Sequence, residues 1–174
     1  MTDIDSSLTG KRAEGARLWA ASDWSDVATF IGPNAPRFER VWAKLRDQSM
    51  AKGAGFAQSW CWPALLFGFA WFFYRKLWAM GAVLLILPLI VGLFVSSHGG
   101  AIGVSAASTI LAKNLYVQHA VTRIAKIRAA GGGAQEIAAA GGVSVAGGVI
   151  GGVLFALALG AVIWSVASGA PVSD

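Results

Sequence analysis

The chain has 174 residues, 56% of them apolar and only 13% charged, with a formal net charge of +5; soluble domains carry about 25% charged residues. This composition excludes a disordered chain and argues against a water-soluble globule. One cysteine and two histidines exclude a disulfide framework and a structural zinc site.

The charge is unevenly placed. Residues 1–55 hold eight Lys/Arg and seven acids, whereas from residue 56 onward six Lys/Arg stand against only Glu136 and Asp174. The later cations gather at Arg75 and Lys76 and at Arg123, Lys126 and Arg128, with Lys113 alone. Because this excess flanks apolar runs, it reads as a topology signal, and no nucleic-acid partner is expected. Residues 1–10 are polar and acidic and lack the pattern of a signal peptide, so they are expected to be a frayed, disordered start.

In chain order, the first expected element is a short helix over residues 24–31. Asp23 caps it, and Trp24, Val27, Phe30 and Ile31 share one face. Gly32 and Pro33 stop it, and Pro36 opens a second helix in which Phe38, Val41, Trp42 and Leu45 follow i, i+3, i+4, i+7. Arg37, Arg40, Lys44 and Arg46 occupy much of the other face. The pair reads either as a small cytoplasmic helical module or as a basic amphipathic helix lying on anionic lipid. The module is bounded at residue 55, and residues 56–174 form the membrane part.

Residues 60–74 are uncharged and rich in Trp, Phe and Tyr. As a helix they reach roughly 22 Å, short of a hydrocarbon core of about 30 Å. They are expected to form an interfacial or re-entrant helix ending at Arg75 and Lys76. Spans follow at about 77–95, with Pro88 kinking the helix, at 100–119, and at 142–167, separated by a turn at 96–99 and a loop or helix end at 120–140. The positive-inside rule favours three spans over four: the N-terminal module, Arg75 with Lys76, and the basic 120s then share the cytoplasmic side, and the C-terminus lies outside. The expected fold is therefore an all-α, multi-pass protein of the inner (cytoplasmic) membrane.

Small residues carry the packing signal. Ser144, Gly148, Gly152, Ala156 and Gly160 recur every four residues, with Gly147 and Gly151 beside them, and Gly99, Gly103 and Ala107 make a matching stripe on the second span. Such stripes let helix backbones approach closely. Pairing within one chain and pairing between chains both fit. Chemical constellations are absent: no carboxylate falls inside a span, Cys61 has no His near it in sequence, and His98 and His119 fall on opposite sides of the bilayer. Lys113 and Asn114, with Tyr116, Gln118 and His119, form one polar cluster, read as an interfacial belt or a head-group site.

The stretch from Phe30-Ile31-Gly32 to Phe38, the aromatic run, the signature Trp71-Phe72-Phe73-Tyr74-Arg75-Lys76, and Asn114-Leu115-Tyr116 together carry a resemblance. Over residues 30–120 the chain resembles a bacterial membrane-protein family, domain of unknown function 2628. The resemblance implies no activity. It departs at Gly68-Phe69-Ala70, where the family's usual Gly-Pro is missing. The expectation is a non-enzymatic accessory subunit or scaffold without cofactor, whose partners are membrane lipids and either a membrane protein or a second copy. The alternative is a small channel or lipid-interacting transport protein.

Overall fold

The computed structural model describes residues 2–94 and 99–168, and the side chains within them apart from residues 2–8, 88, 89, 91–94, 99–108, 162, 165 and 166. Among the described residues the fold is all-α. The helices are α1 (Thr2–Ala20), α2 (Trp24–Ile31), α3 (Pro36–Lys52), α4 (Trp62–Phe67), α5 (Phe69–Tyr74), α6 (Trp78–Phe94), α7 (Gly99–Ala129), α8 (Ala134–Ala140) and α9 (Val145–Ala167). The chain divides into two compact units, Met1–Ser59 with Lys113–Gly142, and Trp60–Ala112 with Val143–Asp174. The N-terminal unit thus takes in residues 113–142, which the sequence alone assigns to the membrane part.

The first unit is built around ordinary inward-facing apolar side chains. In α2 the Asp23 carboxylate accepts the Ser25 backbone N–H at 3.1 Å, as an N-cap does, and Val27, Phe30 and Ile31 are buried. In α3 the buried face is Phe38, Val41, Leu45 and Ser49, and Gly53, in the left-handed region, closes the last turn onto the Ser49 carbonyl at 2.8 Å. The disordered start expected of residues 1–10 is corrected for residues 2–10: they belong to α1, which packs on α3 and buries Trp19. Of the loop or helix end expected at 120–140, the helix end is what forms. α7 stays helical to Ala129, presenting Tyr116, Val117, Ala120, Val121 and Ile124 to the core, and α8 follows after the glycine break at 131–133.

In the second unit, residues 60–74 are not one helix. Gly68, at φ +49, divides them into α4 and α5, a backbone conformation open to glycine and strained for other residues. α5 then ends in a Schellman motif: the Leu77 N–H reaches the Phe72 carbonyl at 2.9 Å, and the Lys76 N–H reaches Phe73 at 3.1 Å. Lys76 takes the left-handed position, φ +61, that glycine usually fills. This turn sends the chain into α6.

Among the described residues one segment, Ala134–Ala161, is long and apolar enough to cross a membrane. Residues 141–144 interrupt its helix, so its apolar length lies in α9. Only 11% of its most apolar window is buried, unlike the core helix of a soluble protein. The three-span expectation is therefore met by one such segment. α6 has 17 residues, and the side chains of the first ten residues of α7, which open the span expected at 100–119, lie outside the described residues. The turn at Ser96, Ser97 and His98 lies outside the described residues.

Candidate functional site

The signature residues fall into two constructions, one in each unit. In the second unit the aromatic run locks onto α9. The Ser144 N–H donates to the Tyr74 carbonyl at 2.8 Å. Further along α9, a side chain on Gly147 would strike the Phe73 carbonyl, and one on Gly151 would lie 2.8 Å from the Ala70 Cα. The rings of Phe67 and Phe69 then meet Phe155 at 6.4 and 6.2 Å. As α9 is followed from 144 to 155, its partners run from 74 back to 67, so α5 and α9 are antiparallel. Close approach needs glycine here because backbone meets backbone. α5 is the helix that α9's glycines serve, through the pair Gly147 and Gly151.

The remaining stripe residues are placed as follows. Ser144 caps α9, its hydroxyl accepting the Gly147 N–H at 3.0 Å. Gly148 lies under the Tyr74 ring, where a Cβ would come within 2.9 Å of Cδ2. Gly152 and Gly160 have open space where a side chain would be, and Ala156 is exposed. The surroundings of Gly99, Gly103 and Ala107 lie outside the described residues.

Around the signature, Trp71 is buried edge-on against Phe72 at 5.1 Å, and the buried Arg75 guanidinium lies 6.0 Å from the Trp71 ring centre. That distance is within the range of a cation–π contact. Tyr74 is partly exposed and Lys76 closes the Schellman turn.

In the first unit, Asn114 clamps the segment after α3. Its side-chain carbonyl accepts the Ala57 N–H at 2.8 Å, and its amide donates to the Ala57 carbonyl at 2.7 Å. All four groups are buried, so one side chain replaces the backbone partner that an irregular segment lacks. Two residues on, Tyr116 is fully buried against Phe38 at 5.3 Å and Phe30 at 6.3 Å. Asn114 and Tyr116 therefore position residues 30, 38 and 57 around one helix. Both side chains are thus buried in the core of the first unit. Lys113 lies with its ammonium 5.9 Å from the Phe38 ring.

Sequence reasoning missed two features. Arg128 makes a two-pronged ion pair with Asp26, at 2.6 and 2.9 Å, across 102 residues of sequence. The hydrogen bond to Asp26 holds the guanidinium pKa above its usual value. The Glu136 carboxylate accepts the Gly133 N–H at 2.8 Å and caps α8. The acid in the first turn of α2 was the available signal for the first, and Gly133-x-x-Glu136 for the second.

Among the described residues no group of His, Cys, Asp and Glu could hold a metal ion, and Cys61 is buried. An open cleft of about 270 Å³ in the first unit is lined by Trp19, Ser49, Gly55, Gln118 and Thr122, with no charged side chain on its wall. The outer surface of the second unit is of another kind. Trp62, Leu66 and Phe67 on α4, Val83, Ile86 and Ile90 on α6, and Val149, Val153, Leu157 and Trp164 on α9 are all exposed.

A family model, protein of unknown function (DUF2628), matches residues 30–131, more than half of the chain. The matched stretch contains both the aromatic signature and the Asn114 clamp, and it ends before α9. No curated protein and no solved structure matches the chain.

Proposed function

The chain belongs to the DUF2628 family, and we propose that it is a non-enzymatic protein of the bacterial inner membrane, an accessory subunit or scaffold acting through helix–helix and cytoplasmic contacts. One observation carries this reading: the second unit turns large apolar side chains outward on α4, α6 and α9 while Gly147 and Gly151 face inward. Water penalises such a surface and lipid does not. The reading has three spans, near 77–95, 100–119 and 142–167, with residues 1–55 and the basic 120s in the cytoplasm and the C-terminus outside. The distribution of Lys and Arg supports it.

Gly152, Ala156 and Gly160 leave a smooth, outward strip on α9, the face proposed to receive a partner helix. Lipids are the other expected partner, and no cofactor is part of the reading. Alkaline extraction of membranes tests location: the protein stays in the pellet, and its release into the supernatant would overturn the reading. Thiol labelling in intact cells tests topology, with Ser97→Cys reached by an impermeant reagent and Ala129→Cys protected. Purification in mild detergent tests the role. A fixed larger partner is the expected result, whereas a pure homo-oligomer that passes ions would replace the scaffold by a channel.

A further inference from the structure

We infer that residues 60–76 form a re-entrant aromatic hairpin, which enters and leaves the bilayer on the cytoplasmic face and seats its tip among the acyl chains of that leaflet. The inference rests on the membrane reading of α9 proposed above and takes its depth from the register between α5 and α9.

The base of the hairpin is level with the start of α9, where the Ser144 N–H meets the Tyr74 carbonyl. Ala70 lies against Gly151, seven residues or about 10 Å further along α9 at 1.5 Å per residue. The rings of Phe67 and Phe69 touch Phe155, about 16 Å along the same axis. A hydrocarbon core is about 30 Å thick, so these rings stand well inside it. A helix lying in the interface would instead stay level with the first turn of α9.

The segment does not cross. α4 and α5 have six residues each, and even end to end they reach only about 18 Å. The turn at Gly68 divides them into limbs of equal length, about 9 Å each. Charge marks the exit: Arg75 and Lys76 follow directly after α5, where cations belong on the cytoplasmic side. The tip meets the same medium as α9 at that depth. Leu66 and Phe67 are 61% and 53% exposed, and Leu157, beside Phe155 in the sequence of α9, is 66% exposed. Non-regular backbone at membrane depth is tolerated where protein covers it; here the chain on either side of Gly68 is covered by α9 through Ala70 and the ring contacts at Phe155.

The test uses the full-length protein in lipid vesicles, with Cys61→Ala as background and single cysteines at Gln58, Phe67, Lys76 and Leu157. Spin labels report depth from the ratio of accessibility to oxygen and to a water-soluble nickel chelate. The expected result is a ratio at Phe67→Cys equal to that at Leu157→Cys and well above that at Gln58→Cys. An impermeant thiol reagent should reach Gln58→Cys and Lys76→Cys from the same face of sealed vesicles. Leu66→Cys serves in place of Phe67→Cys if that variant does not fold. A tip ratio like that of Gln58→Cys, with Leu157→Cys deep in lipid, would overturn the hairpin and leave the membrane reading standing. Labelling of Gln58→Cys and Lys76→Cys from opposite faces would replace the hairpin by a full crossing. Should Leu157→Cys itself prove open to the nickel chelate, the membrane reading fails and takes the inference with it.

Discussion

In residues 113–129 of α7, Tyr116, Val117, Val121 and Ile124 are buried, while Gln118, Thr122 and Lys126 are exposed. α9 reverses the arrangement. Its inward positions are Gly147 and Gly151, and Val145, Val149, Val153 and Leu157 face out. Both are helices, and neither difference in helix propensity nor length explains the contrast. What differs is the medium for which each surface is suited. Where water surrounds a helix, burial of large apolar side chains is the driving term. Where apolar side chains gain nothing by leaving their surroundings, close backbone packing through small residues takes over.

Four substitutions or titrations probe that contrast, beginning with the largest effect. Asn114→Leu should strongly destabilise the first unit. It leaves the buried N–H and carbonyl of Ala57 without their partner, at about 1–3 kcal/mol for each group. Denaturation midpoints and amide exchange at Ala57 would register the loss, and an unchanged exchange rate would remove the clamp from the account.

In the second unit the corresponding weak point is steric. Gly151→Leu should lower the melting temperature in detergent, because its side chain meets the Ala70 backbone; overpacking of this kind costs about 1–3 kcal/mol or more. Gly152→Leu, one residue on and facing open space, should leave the isolated chain's melting unchanged and act only on complex size. Equal effects at 151 and 152 would break the distinction between the inner and outer faces of α9.

Lys76 gives a smaller, backbone-only test. At φ +61 a β-branched residue is disfavoured and glycine is not, so Lys76→Val should melt below Lys76→Gly by about 1–2 kcal/mol. Identical stability would mean that the turn into α6 relaxes readily.

The smallest effect belongs to the exposed cap of the first unit. Backbone and side-chain hydrogen bonds from Ser25 hold the Asp23 carboxyl below its ordinary range. A group with a depressed folded pKa stabilises fully above its unfolded value and loses that contribution as pH falls through the folded value. The Ser25 amide resonance should therefore titrate at acid pH below the ordinary Asp range, and Asp23→Ala should abolish that transition.

Local chemistry made much of the first unit legible. Asp23 before Trp24, Gly32 after Ile31, and Pro36 ahead of a 3.6-residue apolar period mark α2 and α3, and both helices stand where these signals put them. The aromatic signature was equally plain as a motif, yet its division at Gly68 was not. A glycine inside an apolar run is compatible with a straight helix or a turn, and the choice depends on what packs beside it. The spacing of Ser144, Gly148, Gly152, Ala156 and Gly160 likewise showed a strip of small residues without saying which of the two neighbouring strips meets another helix.

By itself, then, the sequence determined the all-α class, the apolar character of α9, the cap of α2 and the identity of the signature residues, because each depends on side chains a few positions apart. Only the tertiary structure decided that Asn114 reaches Ala57 across 57 residues, that Asp26 pairs with Arg128 across 102, and that Gly147 and Gly151 receive α5. Contacts of that kind are set by how helices stack in space, where a rotation of about 100° per residue moves a glycine from the packed face to the open one; no local pattern encodes that choice.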